Sequence, residues 1–212
     1  MAWQTTAGAE NKRLPVAERL MTELFPIFLK LGGRSALVVG GGKMAALRVQ
    51  QLIRAGASVT VIAPKVGAEI EGLAKAGSMV LVRRGFERTD INRSYFVVIA
   101  ATNDSKVQRA VSEEAERRGI LCNVVDKPEF CNFYTPAIVD RGELKIAIST
   151  SGRSPSLAGK MREYLEEAIP ENAADLTRTV GLLRSRLKLE IPGDLAAQKK
   201  LVGEFVEKVL KK

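Results

Sequence analysis

The residues whose types could do chemistry fall in three short stretches: a carboxylate, a glycine turn and a hydroxyl-rich loop. Asp126 follows Asn123-Val-Val, so it falls where an apolar run ends and a loop begins. A carboxylate at the mouth of a sheet can take a proton while a neighbouring cofactor takes a hydride. Followed by Lys127-Pro128, the same residue also suits a turn cap, and position alone leaves both roles open. From Ser35 to Ala46 the chain reads as a buried strand, a glycine turn and the first turn of a helix. Gly40, Gly42 and Ala45 fit G-x-G-x-x-G/A. The first glycine permits the turn, the second lets the backbone approach a pyrophosphate, and the small third residue lets helix and strand pack closely. An anion there would meet the N–H groups of Gly41, Gly42, Lys43 and Met44 at a helix N-terminus. A glycine turn without a ligand has the same residues, so the pattern alone does not decide. Ser149-Thr-Ser-Gly-Arg-Ser154 runs into Pro155, a helix start. Thr150, Ser151 and Arg153 offer hydroxyls and a guanidinium to an anion, while capping accounts for Ser154.

Composition removes several alternatives. The 212 residues contain no histidine, which excludes Ser-His and Cys-His dyads and His-ligated metal sites. Acid–base work falls to Asp, Glu, Lys, Tyr or Cys. Cys122 and Cys131 are the two cysteines, neither a disulfide framework nor spaced as a zinc site, and a reducing cytoplasm is the expected setting. No apolar run approaches the roughly 18 residues of a membrane-spanning helix, and the first 20 residues lack the apolar core of a secretory signal. The net charge of +9 suits a polyanionic partner. The bases are spread out and aromatics make up 5% of the chain, which argues against nucleic acid.

The elements that must position these residues follow in order. Apolar spacing predicts strands near 36–39, 58–63, 79–82, 95–101 and 120–125. Helices are predicted over 43–55, 66–76 and 104–118. Strand and helix alternate with short connections, the pattern of a parallel, doubly wound sheet. Phe25-Pro-Ile-Phe-Leu29 is expected to lay a strand or turn against the first strand, with Gly32-Gly33 turning into it. Tyr134–Asp140 and Glu143–Thr150 read as a hairpin about Arg141-Gly142, and the remainder as helices broken at Pro170 and Pro192-Gly193. The expected fold class is therefore α/β: a Rossmann-like parallel sheet, then a β-hairpin dimerisation element, then a C-terminal helical domain. The expected boundaries are a tail at 1–22, a dinucleotide domain at 23–133, a hairpin region at 134–168 and a helical domain at 169–212.

Ligands of open α/β sheets lie beyond the carboxyl ends of the strands. That puts Gly40–Gly42, Pro64, Lys65, Thr102, Asn103 and Asp126 around one crevice. The acid that usually meets a ribose 2′-OH is absent, since the second strand ends Ile62-Ala-Pro-Lys65. The residues thus leave NAD and NADP open.

Taken together, Phe25–Leu29, Val38-Val-Gly-Gly-Gly-Lys-Met-Ala45, Ala100-Ala-Thr-Asn103, Cys122-Asn-Val-Val-Asp126, Pro136-Ala-Ile-Val-Asp-Arg141 and Ile148-Ser-Thr-Ser-Gly-Arg-Ser-Pro155 resemble the precorrin-2 dehydrogenase / sirohydrochlorin ferrochelatase family of sirohaem biosynthesis, including the N-terminal part of fused sirohaem synthases. The resemblance covers about residues 24–169 and is looser in the C-terminal helices. It implies NAD⁺-dependent conversion of precorrin-2 to sirohydrochlorin, with Fe²⁺ insertion, a lyase step, in some members. It implies a homodimer built around the hairpin, with the tetrapyrrole between the cofactor domain and the helical part. It makes Asp126 the catalytic aspartate, with Asn123 orienting substrate and Arg141, Arg153 and Lys160 as candidates for its carboxylates. The family's phosphorylatable serine falls on Thr150, a departure that weakens any such modification here. No protein metal site is implied, because the macrocycle's own nitrogens bind iron. The rival expectations are a chelatase alone and a nucleotide-sensing regulatory module.

Overall fold

The computed structural model describes residues 23–210; the predicted tail at 1–22 lies outside them. The chain divides into two compact units between Thr135 and Pro136.

The first unit alternates strand and helix: β1 (Ser35–Val39), α1 (Lys43–Arg54), β2 (Ser58–Ile62), α2 (Ala68–Lys75), β3 (Val80–Val82), β4 (Tyr95–Ala100), α3 (Ser105–Arg118) and β5 (Leu121–Val124). All pairings are parallel, in the order β3-β2-β1-β4-β5. Successive side chains of β1 serve opposite faces. Ala36 and Val38 join Ala45 and Val49 of α1, Val61 and Ile70 in one core. Leu37 and Val39 join Val98, Val111 and Ala115 in the other. A strand covered on both faces reads as the unbroken apolar run seen in the sequence. The order reverses between β1 and β4, so the crevice of a doubly wound sheet opens at the carboxyl ends of these two strands.

The expectation for Phe25–Leu29 is corrected. The segment has no regular structure, and Phe25, Ile27 and Phe28 stand exposed; only Leu29 and Leu31 reach the core. The reason lies in the sheet order. β1 is central and both its edges are taken, by β2 and β4, so no free ladder remains, and Pro26 lacks an N–H to donate. The turn at Gly32-Gly33 does form, with Gly33 N–H donating to Gly56 O at 3.0 Å.

The second unit holds the hairpin β6 (Ala137–Arg141) and β7 (Leu144–Ile148), then α4 (Pro155–Ala168), α5 (Ala173–Glu190) and α6 (Leu195–Leu210). The strands pair antiparallel from Ala137↔Ile148 to Arg141↔Leu144, and Gly142 turns between them at φ 67°. Arg141 ties the hairpin to the end of α4, donating to Glu166 O at 2.6 Å and Ile169 O at 3.2 Å. The first belongs to the helix's last turn and the second to its C-cap, where carbonyls lack intrahelical partners.

Candidate active site at the carboxyl edge of the sheet

Each glycine after β1 answers to a different constraint. Gly40 has φ 129°, and a Cβ there would lie 2.1 Å from Ala101 O. Gly41 has an ordinary φ, but its Cβ would lie 2.0 Å from Lys65 O. Gly42 faces open space, with nothing within 4 Å of an added Cβ. Gly42 also begins α1 with no side-chain cap and no acid in the first turn. The N–H groups of that turn therefore keep their capacity for an anion. Ala45, fully buried, packs the helix onto the sheet. An open cradle over an uncapped helix start fits the pyrophosphate of a dinucleotide.

The neighbouring strand ends complete this rim. Pro64 and Lys65 are exposed beyond β2, with no acid between Ala63 and Lys65. Beyond β4, Asn103 is exposed and Thr102 half-buried. The Thr102 carbonyl accepts from Nε2 of the buried Gln108 at 2.7 Å. Asp104 caps α3 by accepting from Lys106 N–H at 2.8 Å. These bonds fix the loop that carries Thr102 and Asn103.

Asp126 lies exposed just past β5 at φ 60°, a left-handed conformation that residues with a Cβ seldom adopt. Its turn is held by Cys131. The Sγ accepts from Val124 N–H at 3.2 Å and from Asn123 Nδ2 at 3.5 Å, and its single S–H faces Val124 O and Lys127 O, each at 3.3 Å. Burial pushes the Cys131 thiol up, which keeps it protonated as a donor. Asn132 exchanges bonds with the open edge of β5: its Oδ1 accepts from Cys122 N–H at 2.7 Å and its Nδ2 donates to Ile120 O at 3.0 Å. The edge is thereby covered. Asn123 is buried, and its amide also donates to Phe133 O at 3.1 Å, so that donor group braces the loop carrying Asp126.

In the second unit, the hydroxyl-rich loop spends several of its groups on itself. Ser149 Oγ accepts from Ser151 N–H and Thr150 Oγ1 from Ser154 N–H, both at 3.1 Å. Ser154 Oγ caps α4 through Leu157 N–H at 3.4 Å. Ser151, at φ 54°, and Arg153 are exposed. Arg141 is committed to the α4 carbonyls described above.

The chain matches two family models: "Putative NAD(P)-binding" over residues 27–137, and a sirohaem biosynthesis protein central domain over 141–168. It is 31% identical to the solved structure of SirC, a precorrin-2 dehydrogenase, with a TM-score of 0.71, covering 86% of this chain and 89% of that one. The chain belongs to the precorrin-2 dehydrogenase family. Relatives in longer proteins include the siroheme synthases of Nitrosococcus oceani, 40% identical over 88% of this chain and 41% of that protein, and of Methylococcus capsulatus, 44% identical over 80% and 36%. The chain thus spans about two fifths of the length of these curated relatives.

Some residues of this member of the precorrin-2 dehydrogenase family that shape the site escape a reading of motifs. Gln108 and Cys131 act on backbone groups and carry no spacing signature.

Proposed function

We propose that this protein catalyses the NAD⁺-dependent dehydrogenation of precorrin-2 to sirohydrochlorin. The observation that carries this reading is Asp126, an exposed carboxylate held in a left-handed turn next to the dinucleotide crevice. Gly40, Gly41, Gly42, Lys43 and Met44 hold the cofactor's pyrophosphate, with Pro64, Lys65, Thr102 and Asn103 along its flanks. Bound NAD⁺ supplies the acceptor for a hydride leaving a ring carbon. Asp126 takes the proton that leaves with it, so the substrate loses two electrons and two hydrogens in all. A turn fixed by Cys131 and Asn123 keeps that carboxylate in place without reorganisation during the step. Ser151 and Arg153 are the exposed groups offered to substrate carboxylates in the second unit, while Arg141 and Thr150 support them by holding the hairpin and loop.

The test is direct. Precorrin-2 and NAD⁺ are mixed with the protein and NADH is followed at its absorbance band. Wild type is expected to turn over, and Asp126→Asn is expected to lose about 10²–10⁴ in kcat. Absence of NADH with the wild type overturns the activity; full activity of the variant overturns the role of Asp126.

A second reading adds iron insertion at the same place. No group of three or more Cys, Asp or Glu side chains suited to a metal occurs among the described residues, and insertion needs none, since the macrocycle binds Fe²⁺ as substrate. Asp126 would accept the pyrrole protons released. Supplying sirohydrochlorin and Fe²⁺ without NAD⁺ separates the two activities.

A homodimer in the cytoplasm completes the proposal. Supporting it are a half-exposed hairpin, free cysteines at 122 and 131, and the lack of any helix among the described residues that is long and apolar enough to cross a membrane.

A further inference from the structure

Past Asp126 the chain enters a feature that the proposed chemistry does not use. Lys127, Glu129 and Phe130 form one wall of a cavity of about 370 Å³. Ser105, Lys106 and Arg109, from the first turns of α3, form another, and Arg88 completes the lining. Both walls hang from the carboxyl edge of the sheet: α3 follows β4, and the 127–130 loop follows β5. Lys127 is the next residue after Asp126, so the cavity shares a wall with the turn that presents the carboxylate.

Its charge is one-sided. Four cations and one carboxylate, Glu129, line it. Arg88 is matched by Glu113 at 2.6 Å. Lys106, Arg109 and Lys127 form no ion pair among the described residues. Elsewhere in this unit arginines find acids: Arg84 pairs with Asp90, and Arg117 and Arg118 with Glu114. Arg109 is held instead over the ring of Phe130, 5.3 Å from its centre. A ring face orients a guanidinium without occupying its in-plane N–H donors. The N-terminus of α3 adds little, since Asp104 already accepts from Lys106 and Val107 N–H. An anion in the cavity would therefore meet side-chain donors.

The cofactor's pyrophosphate is a poor candidate for it. Its cradle follows β1, and β5 lies two strands away in the order β1-β4-β5, about 10 Å across the sheet. The other anion that must come to Asp126 is the substrate, which carries carboxylates around its rim. We propose that this cavity is a subsite for peripheral carboxylates of the tetrapyrrole, with Arg109 and Lys127 as its main contacts, and that it fixes which edge of the ring meets Asp126. This rests on the reading of Asp126 as the base. Arg109 offers a planar fork of fixed direction and Lys127 a point charge on a flexible stem, so the first sets geometry and the second adds attraction. Glu129 works against both.

The test uses the full chain with Arg109→Gln plus Lys127→Gln, with Glu129→Gln, and with Lys75→Gln, which removes a positive charge at the far end of α2. Sirohydrochlorin, which is coloured, is titrated by absorbance, and precorrin-2 and NAD⁺ are varied separately in the kinetics. The double variant is expected to weaken sirohydrochlorin binding and raise the precorrin-2 KM about tenfold or more, leaving the KM for NAD⁺ within about twofold. Its melting temperature is expected to hold, because neither side chain is buried. Glu129→Gln is expected to tighten sirohydrochlorin binding, a gain that a merely structural role would not give. Lys75→Gln is expected to change neither constant. Sirohydrochlorin binding by the double variant equal to wild type overturns the proposal. A rise confined to the NAD⁺ KM overturns it in favour of a cofactor contact. An equal loss in Lys75→Gln overturns it in favour of long-range charge. The titration needs no turnover. If wild type binds sirohydrochlorin but makes no NADH, the activity fails while the result on the cavity stands; if Asp126→Asn is fully active, the base assignment fails alone.

Discussion

Leu37, Val38, Ile70, Ile91 and Val98 all reach 0% exposure in the sheet unit, drawn from strands, a helix and a loop. The hairpin-and-helix unit brings Val139 to 1%, and otherwise buries only Ala158, Ala173 and Leu187 among its described apolar residues. It leaves Tyr164 67%, Leu182 73% and Leu189 83% exposed. The first unit closes two cores on itself because a doubly wound sheet presents two apolar faces and covers both with its own crossovers. The second has amphipathic pieces and too few layers to bury them. Exposed apolar side chains on α4 and α5 would gain from being covered, and the proposed homodimer is one occupant that would do it. One unit thus closes its own cores around the cofactor crevice, while the other leaves apolar side chains in solvent.

The sharpest way to break this contrast is to attack the closed unit. Gly40→Ala forces a Cβ into Ala101 O. It is expected to cost about 4 kcal/mol or more, read as loss of soluble protein or of the cooperative melt. Leu37→Ala, at a fully buried site, is expected to cost about 2–5 kcal/mol in denaturant unfolding. The corresponding attack on the second unit, Leu182→Ser with Leu189→Ser, is expected to change folding of the sheet unit by less than about 0.5 kcal/mol. The same pair is expected to weaken self-association in sedimentation. A large unfolding effect with unchanged association would erase the distinction.

Between these extremes sits the Asp126 turn. Cys131→Ala removes the sulfur that the turn is wrapped around. It is expected to cost about 1–2 kcal/mol and to lower kcat with little change in the KM for NAD⁺; Cys131→Ser, which restores a donor and acceptor, should recover part of the rate. The smallest effect is a pH slope in α3. Glu114 accepts from Arg117 and Arg118, and these hydrogen bonds hold its carboxyl down at about 2 against an ordinary 4.5. A depressed folded value means that this stabilisation is complete above the ordinary value and is lost as pH falls toward the lower one. Melting temperatures measured across that window should fall less steeply in Glu114→Gln.

How much of this was legible in the sequence depends on the physics involved. Strand and helix order was readable because burial on both faces writes itself as apolar runs, and glycine stops such as Gly119, at φ 69°, mark helix ends. The Phe25–Leu29 segment misled for the opposite reason. Its composition suits a strand, but strand formation needs a free edge, and edge availability belongs to the assembled sheet. The place of Asp126 at a strand end was readable from the apolar run before it, while the thiol that holds its turn was not. Cys131 works through its neighbours' backbone groups, and no residue pattern announces that.

The contact between Gly41 and the loop after β2 bears on any attempt to change cofactor preference. Gly41 abuts Lys65 O, and its own carbonyl accepts from Gly67 N–H at 2.9 Å. The loop facing a ribose and the turn facing phosphates are therefore one mechanical piece. A graft that installs an acid at 63–65 in the hope of selecting one dinucleotide must preserve the path of the Lys65 and Gly67 backbone. Otherwise it will distort the phosphate turn it was meant to leave alone. The same coupling narrows the routes by which drift could retune this site: side chains at 64 and 65 are free to vary, the main chain beneath them is not.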